Sequence, residues 1–423
     1  MQELKIEGGD KVFGEIKISG NKNAALPIIA ASLLTDEEVV IKNIPNIIDV
    51  RVMLELAEIL GAEIDFENNT LRIRTKDIKN NQISHELSAK VRTSILFCAP
   101  LIARTNKATI WPPGGDVIGR RRLDAHFYGL NGLGVTIEAD SLPFKFTLKD
   151  KLRGRDLFLD EASVTATEHI LMAAVLSEGR TYIRNAAAEP HVTDLAKFLI
   201  SMGAKIDGLE TNTLIIDGVE KLHGTEYTII EDHIEAASFL SLAAATKGSI
   251  RLKGISPRNY WMTRRIFERL GVEFELSHNE IFLPAEQDMV IKKDFGNAIP
   301  TISDGPWPQF PSDMMSCSIV MATQAHGTVL FFEKMFESRI YFVDRLISMG
   351  ANAIVCDPHR VVISGPSKLR GITMSSPDIR AGMAMVIAAM CADGKSCIQN
   401  VSMIYRGYEN LREKLESIGA KIL

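Results

Sequence analysis

The chain has 423 residues, 46% hydrophobic and 24% charged, with a formal net charge of -5. That length is too great for one simple core, so two or three domains are expected. The acidic balance excludes a global basic field and with it bulk nucleic-acid binding, while a local basic cleft can still hold a small anion.

In chain order, the first nineteen residues, MQELKIEGGDKVFGEIKIS, alternate apolar and polar side chains as strands do, with no apolar run of signal-peptide type. No later segment approaches the roughly 18 apolar residues of a membrane span. The five cysteines (Cys98, Cys317, Cys356, Cys391 and Cys397) are odd in number and lack zinc-like or redox spacing. Free thiols in a reducing compartment follow, so a cytoplasmic protein with no membrane partner is expected.

One short signature then recurs six times: Leu60-Gly61-Ala62, Leu133-Gly134-Val135, Met202-Gly203-Ala204, Leu270-Gly271-Val272, Met349-Gly350-Ala351 and Ile418-Gly419-Ala420. The glycines fall roughly 70 residues apart, so six repeats nearly fill the chain. Before each glycine runs an amphipathic stretch, such as VRVMLELAEIL (50–60) or TDLAKFLISM (193–202), which predicts a helix with one buried face. The glycine stands where a helix end takes a left-handed residue. Alternating segments flank the unit: AEIDF (62–66) and AKIDG (204–208) after the glycine, EVVIKNI, RTYIRNA, GSIRLKG and KSCIQNV upstream. A small apolar helix is also expected, as at EHILMAAVLSEG (168–179). Three such units make a compact domain, so six make two domains, with a ligand cleft expected between them.

The loops of the repeats differ in chemistry. Ser19-Gly20-Asn21-Lys22-Asn23-Ala24-Ala25-Leu26-Pro27 is either an anion-binding helix start or simply a capped turn. Trp111 to Arg122, WPPGGDVIGRRR, combines Asp116 with three consecutive arginines in a Gly/Pro-rich loop. It is either a flexible basic surface loop or a site where a bound phosphate lets Asp116 hold and donate a proton. In Phe310-Pro311-Ser312-Asp313, local sequence alone favours a carboxylate that merely stabilises a helix dipole. Phe336-Glu337-Ser338-Arg339, Asp378-Ile379-Arg380-Ala381 before the apolar helix GMAMVIAAMCADG, and Tyr405-Arg406-Gly407 each place an arginine in the last two repeats. Their recurrence points to a common anion site. The nine histidines never take HxxxH or HxH spacing, His126 and His169 read as structural, and no P-loop or GxGxxG follows a strand. Catalysis is therefore expected from charge placement and proton transfer, with no metal and no organic cofactor.

Seven ordered motifs, GNKNAALP, PGGDVIGRRRLD, SVTATEHILMAA, FPSDM, FESRIYFVDRLISMGA, DIRA and RGYENLREKLESIGA, span the chain. With them the sequence resembles the UDP-N-acetylglucosamine 1-carboxyvinyltransferase family, and less closely its sibling, the 3-phosphoshikimate 1-carboxyvinyltransferases. The resemblance implies a two-domain inside-out α/β barrel of six strand-helix-strand repeats. Residues 1–21 plus 230–423 would form one domain, and 22–229 an inserted domain carrying the loop around Asp116. It implies transfer of the enolpyruvyl group of phosphoenolpyruvate to the 3-hydroxyl of UDP-N-acetylglucosamine, by addition and then loss of phosphate, in peptidoglycan precursor synthesis. Lys22 and Asn23 match a phosphoenolpyruvate-binding pair, and Arg380 and Arg406 match arginines that engage its anion. Arg92 and Arg121 match nucleotide-sugar and phosphate contacts, and Met335 a backbone contact to the sugar nucleotide. Asp124, Ser163, Arg339 and Asp378 complete the implied binding set. Asp313 matches the base at the acceptor hydroxyl, and Lys22, Asp116 and Arg406 the remaining catalytic residues.

Some positions depart from the family's usual pattern. Asp116 stands for a cysteine, Arg122 for a proline, His233 for an arginine, Met315 for a glutamine and Tyr405 for an aspartate. A carboxylate can donate a proton but is not alkylated as a thiolate is, which implies resistance to fosfomycin. The other changes touch acceptor recognition, leaving as alternatives another uridine nucleotide acceptor or a silent sugar-nucleotide-binding paralogue.

Overall fold

The computed structural model describes residues 3–115, 118–119 and 121–423. They divide into two compact units: residues 20–115 with 121–230, and residues up to 19 with 231–423, to which the short segment at 118–119 also belongs. Each unit has its own apolar core.

Each unit contains three four-stranded sheets built to one plan, a parallel edge pair followed by two antiparallel pairings. In the first repeat, Glu226–Thr228 lies parallel to Val39–Lys42, which pairs with Thr70–Arg74, which pairs with Glu63–Glu67. The helix Ile48–Leu60 precedes that last strand and ends at Gly61, whose φ is 119°. All six signature glycines have positive φ, between 76° and 119°. In the unit holding both chain ends, Glu3–Glu7 pairs with Lys395–Gln399 and with Lys421–Ile422, and Phe13–Lys17 runs parallel to Ser249–Ile255.

The sheets surround helices that are buried on every side. All 13 residues of His233–Ala245 are buried, and it packs against Ser312–Thr323 and Ile379–Cys391. Lys22–Ala31, Arg92–Phe97 with Cys98–Thr105, and Val164–Ala174 take the same places in the other unit. Alanine and serine in these helices allow close approach, and a helix that is apolar all round belongs inside.

Helix starts differ from the sequence expectation where a cap was missed. The apolar helix expected over 168–179 runs from Val164 to Ala174. Ser163 caps it, its Oγ accepting from Ala166 N at 3.4 Å, and the Ser177 hydroxyl donates to Ala174 O at 2.8 Å where it ends. Arg380, expected before a helix, lies in the first turn of Ile379–Cys391, because Asp378 Oδ1 accepts from Arg380 N and Ala381 N at 2.8 and 2.9 Å.

The signature glycines are not equally replaceable. At Gly271 (φ 76°) a Cβ would lie 2.3 Å from Val290 N, whereas at Gly419 (φ 94°) nothing lies within 4 Å. Gly419→Ala is expected to cost about 1 kcal/mol of left-handed backbone strain, and Gly271→Ala about 3 kcal/mol once the collision is added. Urea denaturation of the two variants checks the order; equal losses would reject it.

Candidate functional site

Among the residues singled out from sequence, Asp313, Arg339, Arg380, Asp378, Met335 and Arg406 lie in the unit with the chain ends. Asp313 sits in the first turn of Ser312–Thr323, where the helix dipole favours its charge. Arg339 Nη1 donates to its Oδ1 at 2.7 Å, and Arg380 Nε and Nη2 reach its Oδ2, each at 3.2 Å. Both arginines are 4% exposed. Burial is the largest single effect and opposes their charge, but Asp313 and the other acidic groups nearby together outweigh it and hold both guanidiniums above their ordinary range. So Asp313 does more than stabilise a helix dipole. Arg380 also lies over the Tyr408 ring at 5.5 Å, and the Tyr408 hydroxyl lies 2.8 Å from Ser238 Oγ. His233, edge-on to Trp307, is pushed down to about 4, first by burial and further by Arg380, so it is neutral near pH 7.

Asp378 spends its carboxylate on the helix start that carries Arg380. Met335 directs its N–H to Asp304 Oδ2 (3.3 Å) and Glu333 Oε1 (3.2 Å), and the residue is 39% exposed. Arg406 ends the short 3-10 turn Val401–Arg406 and is half-buried.

Lys22, Asn23, Arg92, Arg121, Asp124 and Ser163 belong to the other unit. Asn21 caps Lys22–Ala31 by accepting from Ala24 N at 3.0 Å, so the capped-turn reading of this loop holds as local structure. The cap leaves Lys22 in the first turn, 8% exposed, with its Nζ 2.9 Å from Asp49 Oδ2. Asn23 follows on the same turn, half-buried. Arg92 Nη2 donates to Arg122 O at 2.9 Å, and burial with the neighbouring Arg121 pushes Arg92 down to about 10. Arg122 forks onto exposed Asp124 at 2.8 and 3.0 Å. The glycines beside them are tightly placed: a Cβ on Gly114 would meet Ala89 O at 1.8 Å, and on Gly115 (φ 115°) Arg92 Cβ at 3.1 Å. Behind them His126 Nδ1 lies 3.0 Å from His169 Nδ1, and His126 Nε2 lies 3.1 Å from Thr165 Oγ1. Burial, followed for His126 by His169 and the two arginines, keeps both rings neutral. Asp116 lies outside the described residues.

Sequence reasoning missed Asp49, Asp304 and Glu333, which are 2%, 0% and 0% exposed. Asp49 is in a helical first turn, where an acid reads as a dipole partner. Asp304 and Glu333 each directly follow a strand. A carboxylate closing an apolar run such as GTVLFF was the only available signal. Among the described residues no group of three or more His, Cys, Asp or Glu is placed to hold a metal ion, and no helix is long and apolar enough to cross a membrane.

Residues 6–415 match the family described as EPSP synthase (3-phosphoshikimate 1-carboxyvinyltransferase). The UDP-N-acetylglucosamine 1-carboxyvinyltransferase of Treponema denticola is 54% identical over 423 residues, covering 100% of this chain and 99% of its own length. That of Borreliella burgdorferi is 52% identical with the same coverage. Among solved structures, the enolpyruvyl transferase NikO from Streptomyces tendae superposes with a TM-score of 0.88 at 21% identity, covering 100% of this chain and 98% of that one. EPSP synthase from Acinetobacter baumannii gives 0.78 at 18%, covering 100% of both. These two likenesses establish the inside-out fold.

The Lys22–Asp49 pair yields a stability prediction. Removing one partner of a buried ion pair leaves the other charge poorly compensated, so Asp49→Ala is expected to cost about 3 kcal/mol, and Asp49→Leu with Lys22→Met clearly less. Chemical denaturation checks this; equal losses in the two variants would show the pair is not coupled.

Proposed function

Because the chain belongs to the EPSP synthase family, and within it to the UDP-N-acetylglucosamine 1-carboxyvinyltransferases, we propose that it moves the enolpyruvyl group of phosphoenolpyruvate onto the 3-hydroxyl of UDP-N-acetylglucosamine, releasing phosphate. The chain is a transferase, and this reaction opens peptidoglycan precursor synthesis in the cytoplasm. The single observation within the chain that best supports the reading is Asp313 held between two buried arginines.

A carboxylate that holds two guanidiniums is a weak base. Phosphoenolpyruvate offers Arg380 and Arg406 a more highly charged partner, which frees Asp313 Oδ2. Asp313 then takes the proton of the sugar hydroxyl while that oxygen bonds to C2 of phosphoenolpyruvate. Asp116 delivers a proton to C3, giving a tetrahedral ketal. Loss of a C3 proton and of phosphate restores the double bond. Lys22 and Asn23 hold the phosphoenolpyruvate anion, and Arg92, Arg121, Asp124, Ser163, Met335, Arg339 and Asp378 serve the acceptor. Oriented cations that offset repulsion between two anionic substrates supply most of the rate. Full-length relatives at this level of identity carry one name, which does not favour another acceptor or a silent binder.

Phosphate release from phosphoenolpyruvate is expected only when UDP-N-acetylglucosamine is present; release with a different uridine nucleotide alone would overturn the acceptor assignment. Asp313→Asn is expected to lower kcat by about 10²–10⁴-fold, the range for a lost general base, with sugar-nucleotide binding still measurable by calorimetry. Full activity would reject the base role. Asp116→Asn is expected to cripple turnover, and the wild-type chain to gain no fosfomycin adduct by mass spectrometry. An adduct at residue 116 would overturn the expected resistance, and normal turnover of Asp116→Asn would remove the acid assignment.

A further inference from the structure

Two carboxyl side chains, both 0% exposed, lie behind Asp313 and Arg339 and have no part in the mechanism above. The parallel pairing of Thr301–Ser303 with Gly327–Phe332 sets Ser303 opposite Phe332, so the next residues, Asp304 and Glu333, meet side by side. Each takes donors from a segment that carries a site residue. Ser312 Oγ lies 2.9 and 2.7 Å from Glu333 Oε1 and Oε2, fixing the residue before Asp313. Met335 N and Phe336 N donate to Glu333 Oε1 at 3.2 and 3.1 Å, while Lys334 N and Met335 N donate to Asp304 at 2.5 and 3.3 Å. This stretch of backbone leads directly into Arg339.

We propose that Asp304 and Glu333 are a positioning pair for the transfer reaction, pinning the Ser312–Asp313 turn and the 334–336 backbone from behind so that Asp313 and Arg339 stay in register. The proposal rests on the enolpyruvyl-transfer reading. Two buried carboxyls in contact do not both ionise readily, so one proton is shared and the pair forms an acid–carboxylate hydrogen bond. Burial, then the bond to Asp304, pushes Glu333 up to about 8, against the pull of Arg339 and Ser312. Of the other charged or titratable groups around it, Asp313 is bound to Arg339, and Lys334 Nζ turns away to Ser303 Oγ at 3.0 Å. His359 Nδ1 lies 2.7 Å from the Glu333 backbone oxygen and does not touch the carboxyl. Loss of the shared proton sets two anions against each other beneath the strap and loosens it.

The test compares wild type, Glu333→Ala and Glu333→Gln by phosphate release from pH 6 to 10 and by thermal melting over pH 5 to 9. Glutamine keeps an acceptor for Ser312 and the backbone, offers Asp304 a donor, and cannot ionise. Glu333→Ala is expected to lose about tenfold or more in kcat, as small misplacements of reacting groups do, and Glu333→Gln to recover most of it at pH 7. The wild-type alkaline limb, with a midpoint near pH 8, is expected to move up by at least about one unit in the glutamine variant. A carboxyl whose folded pKa is raised stabilises fully below the unfolded carboxyl range, and that stability is lost as pH rises through the folded value. Wild-type Tm is therefore expected to fall from about pH 5 to about pH 8 more steeply than that of Glu333→Gln. A glutamine variant as impaired as alanine, or an unmoved alkaline midpoint, overturns the proposal. If wild type releases no phosphate, the functional reading fails instead. The Tm slopes then judge the shared proton alone, and equal slopes in wild type and Glu333→Gln overturn it.

Discussion

A helix buried on every side can carry charge only near its ends, and this constraint organises each unit. His233–Ala245, Ser312–Thr323 and Ile379–Cys391 have almost no solvent-facing side, so they show chemistry only where the first turn emerges. There stand Asp232, which caps the first helix through Ile234 N and Glu235 N, then Asp313, then Asp378 with Arg380. The contact of Arg380 with Asp313 shows that two of these starts meet. Helix starts carry partial positive charge, and two arginines add to it, so the end of the unit is prepared for an anion.

The other unit reaches the same end by different pairings. Lys22 emerges at the first turn of a buried helix and is held by a carboxylate from a neighbouring one. Arg92 is crowded by Arg121, a like-charge arrangement that an anionic ligand would relieve. The neutral His126–His169 pair ties the helix Asp124–Gly132 to Val164–Ala174 without adding further charge next to those arginines. In each unit the charged candidate residues are steadied by polar groups that are themselves almost fully enclosed.

Neighbouring carboxylates explain why so much positive charge is tolerated inside. Arg339 and Arg380, almost without solvent, are offset by Asp313, with Asp378 acting further on Arg339 and Asp232 on Arg380. A buried ion pair of this kind contributes little net stability, and its worth lies in orientation. In the proposed reaction the same groups exchange partners when substrate arrives, so it depends on the segments that carry them staying in place.

How much of this was legible differs from one residue to the next. The six repeats, the helix-ending glycines and the apolar helices were readable because a period, a left-handed turn and an apolar run are local properties. Asp313 and Arg380 could be marked as candidates from their motifs, but local sequence left Asp313 as a dipole partner. Only the packing of two helix starts set it between arginines distant in the chain. The Asp49–Lys22 and Asp304–Glu333 pairings had no local signature, since one depends on which helices touch and the other on the register of two parallel strands. The sequence by itself determined the elements, their repetition and the charges at hand. The tertiary structure decided which charges meet and which are enclosed, because burial and pairing across distant segments arise only once the sheets close around the helices.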